Sequence, residues 1–585
     1  MSEQKNVTLS IAGIPMPSFV QLMLKQSINE HHYFEITLDI QAVEIYGVEI
    51  PTVSKDWIGQ KVIIDFGGTV FVGIATMVGL HRSGGTHGNI KVTGYSDTFL
   101  LESDHTCASW CNKSLSDIVK ELTDKAGVKA LVSPETKSKL DYECQYEETN
   151  FSFIQRLARQ YREWLYYDGQ NLVFGKPQAG SAIKLTYGEE LSVLDVCSQA
   201  LARPVKGSSY HSVNDQTYNG QSPDAAAGQN TLGQAAFDST LSLFVAPAVQ
   251  HAEPRIANKG ELDAYFQRKQ QSDTAASSFV TGESDCRTLT VGSIIDVITA
   301  IHTGIGIHVK NSIGTYIITE ITHMAGMGDS YQNYFTALPS TIPSLPCPAV
   351  PLPVAQTQQA VVVSNEDPKK LGRVQVRMNW QTGSMQTSWI RVLTPDAGTS
   401  DKVASNRGFV FIPEKGDQVM VAFRYNDPNR PFVLGSLFHG KSGTGGGSSN
   451  KTKSLTTRSG CTVTLDDEKG SVTIADPTGS TVILNGDNTI TIDAKDKITI
   501  HSKEIEILAD EKIRIEGDSE VEVLSKTSTF EGTSEAKIKS TTSIKEEAAT
   551  IDIKASASLK ASGATVDIEG ATMTNVKGGL LNLNP

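Results

Sequence analysis

The chain has 585 residues, 39% of them hydrophobic and 20% charged, with a formal net charge of −13. That is the make-up of a folded, water-soluble protein with room for three or four domains, and its acidity argues against nucleic acid as the main partner. No run of eighteen apolar residues occurs, the start MSEQKNVTLSIAGIP lacks the basic and apolar regions of a signal peptide, and seven scattered cysteines point to reduced thiols in a cytoplasmic protein.

Up to about residue 110, short runs such as KVIIDF, TVFVGIATMVGL and NIKVTGYS alternate with glycine-rich turns, the pattern of a small antiparallel barrel or sandwich. A helix is predicted from Ser114 to Ala126, capped by Ser114 with Asp117 three residues on, its apolar face carrying Leu115, Ile118, Val119 and Leu122. A second follows the candidate cap Asn150, with Ile154, Leu157, Ala158, Tyr161 and Leu165 on one face. LYYDGQNLVFG reads as strands, residues 207–250 as long loops poor in large apolar groups, Gly260 to Ser278 as a third helix, and SIIDVITA and TYIITEITHM as further strands.

Pro339, Pro343, Pro346, Pro348, Pro351 and Pro353 then exclude regular structure and stiffen a connector over 339–355. The runs QAVVVSN, GRVQVRMNW, SWIRVLTP, GFVFIP, DQVMVAFRY and PFVLGSLF fit a small closed barrel of the OB type over 356–440, and 441–453 is a Gly/Ser linker.

The last segment, 454–585, repeats. Val472/Ile474, Val482/Leu484, Ile490/Ile492, Ile498/Ile500, Ile505/Ile507, Ile513/Ile515 and Val521/Val523 follow one another in steps of 10, 8, 8, 7, 8 and 8. Members of a pair share one face of a strand. Eight extended residues cover about 27 Å at roughly 3.3 Å each, too short a perimeter for one chain to coil around a side-chain core. Three intertwined chains, each giving one face of a prism with these pairs on its axis, satisfy the period. The core of such a trimer would hold Val472, Ile474, Ile490, Ile492, Ile498, Ile500, Ile505, Ile507, Ile513, Ile515, Val521 and Val523. An antiparallel sheet is the alternative, and more Asn-Gly or Asp-Gly turns would mark it.

Chemistry is sparse. No H-E-x-x-H, G-x-S-x-G or phosphate-loop motif is present, and GTGGGS at 443–448 lacks the lysine and helix of such a loop. Asp466/Asp467 and Glu546/Glu547 read as solvated turn charges rather than a glycosidase pair. His31/His32 and His302/His308 have no third ligand in register, and Cys107 and Cys111 no second pair, so neither a metal nor a cofactor is expected.

GRVQVRMNW (372–380), SWIRVLTPDAG (388–398) and NRGFVFIPEKGDQVMVAFRYNDPNRPFVLGSLFHG (406–440) together resemble the OB segment of VgrG proteins, the spikes of type VI secretion systems. ETNFSFIQRLARQYREWLYYDG (148–169), FVTGESDCRTLTVGSIIDV (279–297) and YIITEITHMAGMGDSYQNYFTALP (316–339) resemble the family's hub, placing a phage-tail-hub-like β-barrel region at 1–338. The resemblance implies a mainly β homotrimer: hub barrels with a few helices, an OB-fold, and an intertwined triple-stranded β-helix needle. It also implies docking on the hexameric Hcp tube, contact with baseplate proteins, carriage of effectors through a target membrane, and ejection from the bacterial cytoplasm without a signal peptide. KGGLLNLNP follows Met573 and Val576 with no appended toxin, and Leu580, Leu581 and Leu583 would form an apolar tip for a PAAR-repeat cap. The spike of an extracellular contractile particle or phage-like tail shares this plan. A polysaccharide-cleaving tailspike and a passive adhesin are the remaining alternatives.

Overall fold

The computed structural model describes residues 7–41, 55–82, 88–178, 180–201, 205–304 and 307–583, with the side chains of 300–309 and 329 outside the description. The chain divides into two compact units, 1–447 and 448–585. The fold is mainly β with few helices.

In the first unit the alternation read from the sequence becomes sheet. In Gln21–Ser27, Tyr33–Asp39, Lys61–Asp65 and Asn89–Ser96 every second residue is buried, and Leu22, Leu24, Phe34, Ile36, Val62, Ile64, Ile90 and Val92 share a core with Trp57, Phe66 and Phe71. Among the described residues these strands do not close into a ring of their own. Gln21–Ser27 pairs antiparallel with Ile307–Gly326, which pairs in turn with Tyr331–Pro339, so the N-terminal strands continue into a thirteen-stranded sheet. A second core, with Leu289, Val291, Ile295, Ile318 and Phe335, lies under those later strands.

Helix α1 (Leu115–Ala126) carries the predicted capping box between Ser114 and Asp117 and ends at Gly127 in the left-handed region. Helix α2 (Asn150–Tyr161) is capped by Thr149, one residue before the expected Asn150. It stops at Arg162, whose φ is 58°, so Leu165 opens the strand Leu165–Tyr167 instead of extending the helical face.

The stretch read as loops is largely ordered structure. Val205–His211, Gln216–Gln221 and Ala248–His251 form a sheet, and helix α3 (Thr231–Leu243) lies between the last two. Helix α4 (Lys259–Asp273) packs Leu262, Tyr265 and Phe266 against Val205. Gly207 and Gly220 face Phe266, so the helix supplies the bulk and the sheet needs little of its own.

After the connector, Gln375–Met378, Gln358–Ser364, Gln418–Phe423 and Pro431–Leu437 form the OB sheet in that spatial order. SWIRVLTP joins it only through isolated bridges at Ile390 and Val392, and Phe409, Val410 and Phe411 are exposed coil.

In the second unit, Thr452–Thr456, Thr462–Asp466, Ser471–Ala475, Thr481–Leu484 and Ile490–Asp493 form an antiparallel meander within one chain. The alternative pairing thus holds for the first three apolar pairs. Its turns use Gly470, Gly479, Gly486 and Asn488 at positive φ, and Asp476 Oδ1 accepts the N–H groups of Thr478, Gly479 and Ser480. From 494 to 583 the described chain has no helix or strand. The buried axis is expected only where three chains meet, and in the single chain the pairs stand in solvent. Ile500, Ile507 and Val523 are exposed, and so are Ile498, Ile505, Ile513, Ile515 and Val521. The physical reason is that a single chain without a ladder or a second layer has nothing to pack them against.

At the seam of the large sheet, Gln26 bridges two buried histidines, its Nε2 3.1 Å from His32 Nδ1 and its Oε1 3.0 Å from His323 Nε2. His323 Nδ1 lies 2.7 Å from Tyr331 Oη. Burial pushes both histidines down to about 3, with His31 and His323 adding to the effect at His32. A depressed folded pKa means that stability is complete above the unfolded value near 6.5 and is lost as pH falls toward 3. The thermal midpoint of the hub should therefore be flat above pH 7 and fall below 6.5, each histidine contributing up to about 1.4 kcal/mol per pH unit. A midpoint unchanged down to pH 4 in a pH series would contradict this.

Candidate functional site

Two arrangements stand out as candidates: an uncovered apolar repeat and a clamped junction. In the meander, Leu465, Val472, Leu484 and Ile490 are successive cross-strand partners, and so are Val463, Ile474, Val482 and Ile492. Direct partners point to the same face, so these residues form two parallel apolar rows across one face of the sheet. The rows are open: Ile474 is 53% exposed and Ile490 67%. Beyond Asp493 the second member of each pair is more exposed than the first. Ile500 is 71% exposed against 52% for Ile498, and Ile515 75% against 51% for Ile513. Ile507 exceeds Ile505 and Val523 exceeds Val521 in the same way. Leu580, Leu581 and Leu583 are also exposed. So long an exposed series of apolar pairs is the kind of surface that marks an interaction site.

The junction lies between the hub and the OB-fold. The hub strand Lys139–Glu148 places Tyr142, Cys144 and Tyr146 in one core with Ala360, Val362, Val376, Val419 and Val421 of the OB sheet. At its centre Arg156, fully buried on α2, donates from Nε and Nη2 to the two carboxylate oxygens of Glu148 at 2.7 and 2.8 Å. Its Nη1 reaches Glu143 Oε1 at 3.2 Å. Tyr161 Oη donates to the other Glu143 oxygen at 3.0 Å, and Asn429 of the OB-fold donates to Glu143 Oε1 at 2.6 Å. Asn429 Oδ1 also accepts the Cys144 N–H at 2.8 Å, so this one amide is held by the hub on both sides. Burial raises the Glu143 carboxyl above its ordinary range, while Arg156 and the Asn429 bond favour its charged form. Next to it Arg430 pairs with Asp427 and donates to the carbonyls of Ala252 and Pro254.

The connector is strapped to the hub. Carbonyls of Ile342, Pro343, Leu345, Pro346 and Val350 accept from Lys176, Trp164, Ser272, Asn29 and Arg159 respectively. A proline-rich strip cannot pair as a strand, so side chains satisfy its acceptors instead.

The other candidate residues have ordinary employment. His31 stacks on Phe151 at 3.8 Å and bonds Thr98 and Glu102. The side chains of His302 and His308 lie outside the described residues. Burial lifts the Cys111 thiol to about 11, and its Sγ donates to the Gln386 carbonyl. Asp466 holds turn amides and Asp467 pairs with Lys453. Among the described residues no group of three or more His, Cys, Asp or Glu could hold a metal, and no helix is long and apolar enough to cross a membrane. The sequence reading missed the junction. Its signal was the run Asp427-Pro428-Asn429-Arg430-Pro431, conspicuous as a pattern but silent about its partners.

A large hub sheet clamped to an OB-fold is the architecture of a phage-tail-type hub protein. The chain belongs to the phage tail baseplate hub (GPD) family, whose profile matches residues 34–329. The type VI secretion system/phage-baseplate injector OB domain matches 358–438. Among curated proteins, the type VI secretion system spike proteins VgrG1b and VgrG1a of Pseudomonas aeruginosa are each 24% identical, over 63% and 60% of this chain and 52% and 58% of theirs. The resemblance to VgrG spikes therefore holds, although the chain spans little more than half the length of these relatives. A chain of the Francisella PdpA-VgrG complex, half-lidded, shares the fold with a TM-score of 0.51 at 10% identity, covering 84% of this chain and 88% of that one.

Arg156→Met would leave Glu143 and Glu148 buried without their cation and should cost about 3–5 kcal/mol in denaturant unfolding. Asn429→Ala removes one bond to each of two buried partners and should cost about 1–3 kcal/mol. It should also speed proteolytic release of the OB-fold, seen by mass spectrometry of timed digests. Wild-type stability and cleavage in both variants would show that the clamp does not hold the junction.

Proposed function

We propose that this protein is the non-enzymatic structural spike of a type VI secretion system. In this reading three copies assemble around one axis. The apolar rows of Val472, Ile474, Ile490 and Ile492 on the three meanders meet at the axis, and beyond Asp493 the chains intertwine into a needle whose core holds Ile498 and Ile500, Ile505 and Ile507, Ile513 and Ile515, and Val521 and Val523. The hub over 1–338 docks on the Hcp hexamer and baseplate. The 339–355 connector, the OB-fold at 356–440 and the 441–453 linker carry the load to a needle over 454–585. Leu580, Leu581 and Leu583 receive a PAAR-type tip protein. The trimer waits in the bacterial cytoplasm, is ejected with the tube, pierces the target membrane and carries effectors.

One observation carries this reading: a chain of the hub family with an ordered repeat whose apolar pairs stand uncovered. Further copies of the same chain are the natural cover, because their identical eight-residue period keeps every pair in register. The similarity to VgrG1a and VgrG1b favours the secretion spike. The match to a phage tail hub family keeps the spike of a phage-like contractile tail as the second reading. Genomic neighbourhood separates them, tube, sheath and tip genes alone favouring the first and a full tail operon the second.

Sedimentation equilibrium of the intact protein should give three times the chain mass. Ile505→Asp combined with Ile513→Asp should lower the denaturant resistance of the trimer while leaving the hub folded by near-ultraviolet circular dichroism. A monomeric wild-type protein would end the trimer reading. In cells, deletion should stop release of tube protein to the medium, and unchanged release would end the spike reading.

A further inference from the structure

A cleft of about 370 Å³ opens beside the clamped junction, between the OB-fold and the small sheet of residues 205–251. Arg255, Arg391, Arg424 and Arg430 line it, and no carboxylate does. In a chain of net charge −13, four guanidinium groups on one cavity are a local reversal, not a reflection of composition. Two are already engaged with oxygen acceptors, and Arg424 lies over the Tyr425 ring at 5.6 Å. Arg430 is held by Asp427 and backbone carbonyls, and Arg255 reaches Asp141 at 2.8 Å and Ser388 Oγ at 3.3 Å. Arg391 and Arg424 have no acidic partner among the described residues. Burial lowers the Arg424 pKa, and the nearby Arg430, Arg255 and Arg391 lower it further, the mark of cations crowded without a counter-charge. Ser212 and Asn429 add two uncharged polar groups, and the remaining wall is apolar, with Trp389, Ile390, Pro431 and Phe432.

We propose that this cleft binds a small phosphate-bearing anion, with Arg391 and Arg424 gripping the phosphates and the Trp389–Phe432 wall receiving an uncharged ring. Guanidinium forks match phosphate oxygens bidentately, and an anion there removes the mutual repulsion of the arginines. The volume suits a nucleotide-sized molecule, since such sites run from about 300 Å³ upward. A cavity this small does not accommodate a nucleic-acid strand. The assignment is independent of the spike reading.

Isothermal titration of the intact protein with ATP and with inorganic pyrophosphate tests it. Saturable ATP binding is expected, with pyrophosphate at least tenfold weaker for want of a ring. Arg391→Ala and Arg424→Ala should each weaken ATP at least tenfold with the thermal midpoint of the free protein unchanged. Arg391→Lys should recover only part of the loss, because an ammonium cannot grip two oxygens in a fixed fork. Four results would overturn the proposal: no saturable heat with either probe, equal binding by the arginine variants, loss of binding on merely matching ionic strength with NaCl, or binding confined to a hexaglutamate peptide. Equal affinity for pyrophosphate and ATP would overturn the role of the apolar wall.

Discussion

An extended chain must place its backbone N–H and C=O groups on a neighbour, and in the repeat this requirement governs everything else. Up to Asp493 the chain meets it alone, because turns with Gly470, Gly479 and Gly486 fold it back antiparallel. Past that point the described chain stays strandless while the apolar pairs keep their period, so that Ile500, Ile507 and Val523 face solvent. Such a segment leaves both its apolar pairs and its backbone groups without partners in the same chain. The proposed trimer answers both needs at once, covering the pairs and satisfying the backbone.

The hub and OB-fold face a different constraint: two β-structures have to behave as one body. Apolar contact alone gives adhesion without direction. Here Tyr142, Cys144 and Tyr146 supply the adhesion, and the Arg156–Glu143–Asn429 network fixes the orientation. Buried charges are an expensive way to gain stability, and replacing them with well-packed apolar groups is often no worse. Their benefit is geometric. Asn429 fits only where the Glu143 carboxylate and the Cys144 N–H both meet it, so a slipped arrangement leaves buried charge unpaired.

Local signals were the legible part of this chain. The Ser114–Asp117 box and the alternation in Tyr33–Asp39 and Lys61–Asp65 are written within a few residues, and the structure repeats them. Alternation says which face is buried but not which strand lies alongside, so the pairing of Gln21–Ser27 with Ile307–Gly326 was invisible. Residues 207–250 were mistaken for loops because the bulk that covers their sheet comes from Phe266 and Leu262, outside the segment. Arg156 sat on what looked like the polar side of α2, and only Glu143, Glu148 and Asn429 explain its burial. The cleft arginines escaped notice for the same reason: they are scattered from 255 to 430 and converge only in the fold.

The proline connector unites these themes. Its carbonyls are held by Lys176, Trp164, Ser272, Asn29 and Arg159, residues drawn from across the hub. A glycine-rich tether of that length would let the OB-fold wander. Proline removes donors that no strand could use and fixes φ, while side-chain donors anchor the acceptors that remain. The strip therefore behaves as part of the hub surface. The OB-fold is thus joined to the hub by short bonds spread over the connector and the junction rather than by one flexible chain crossing.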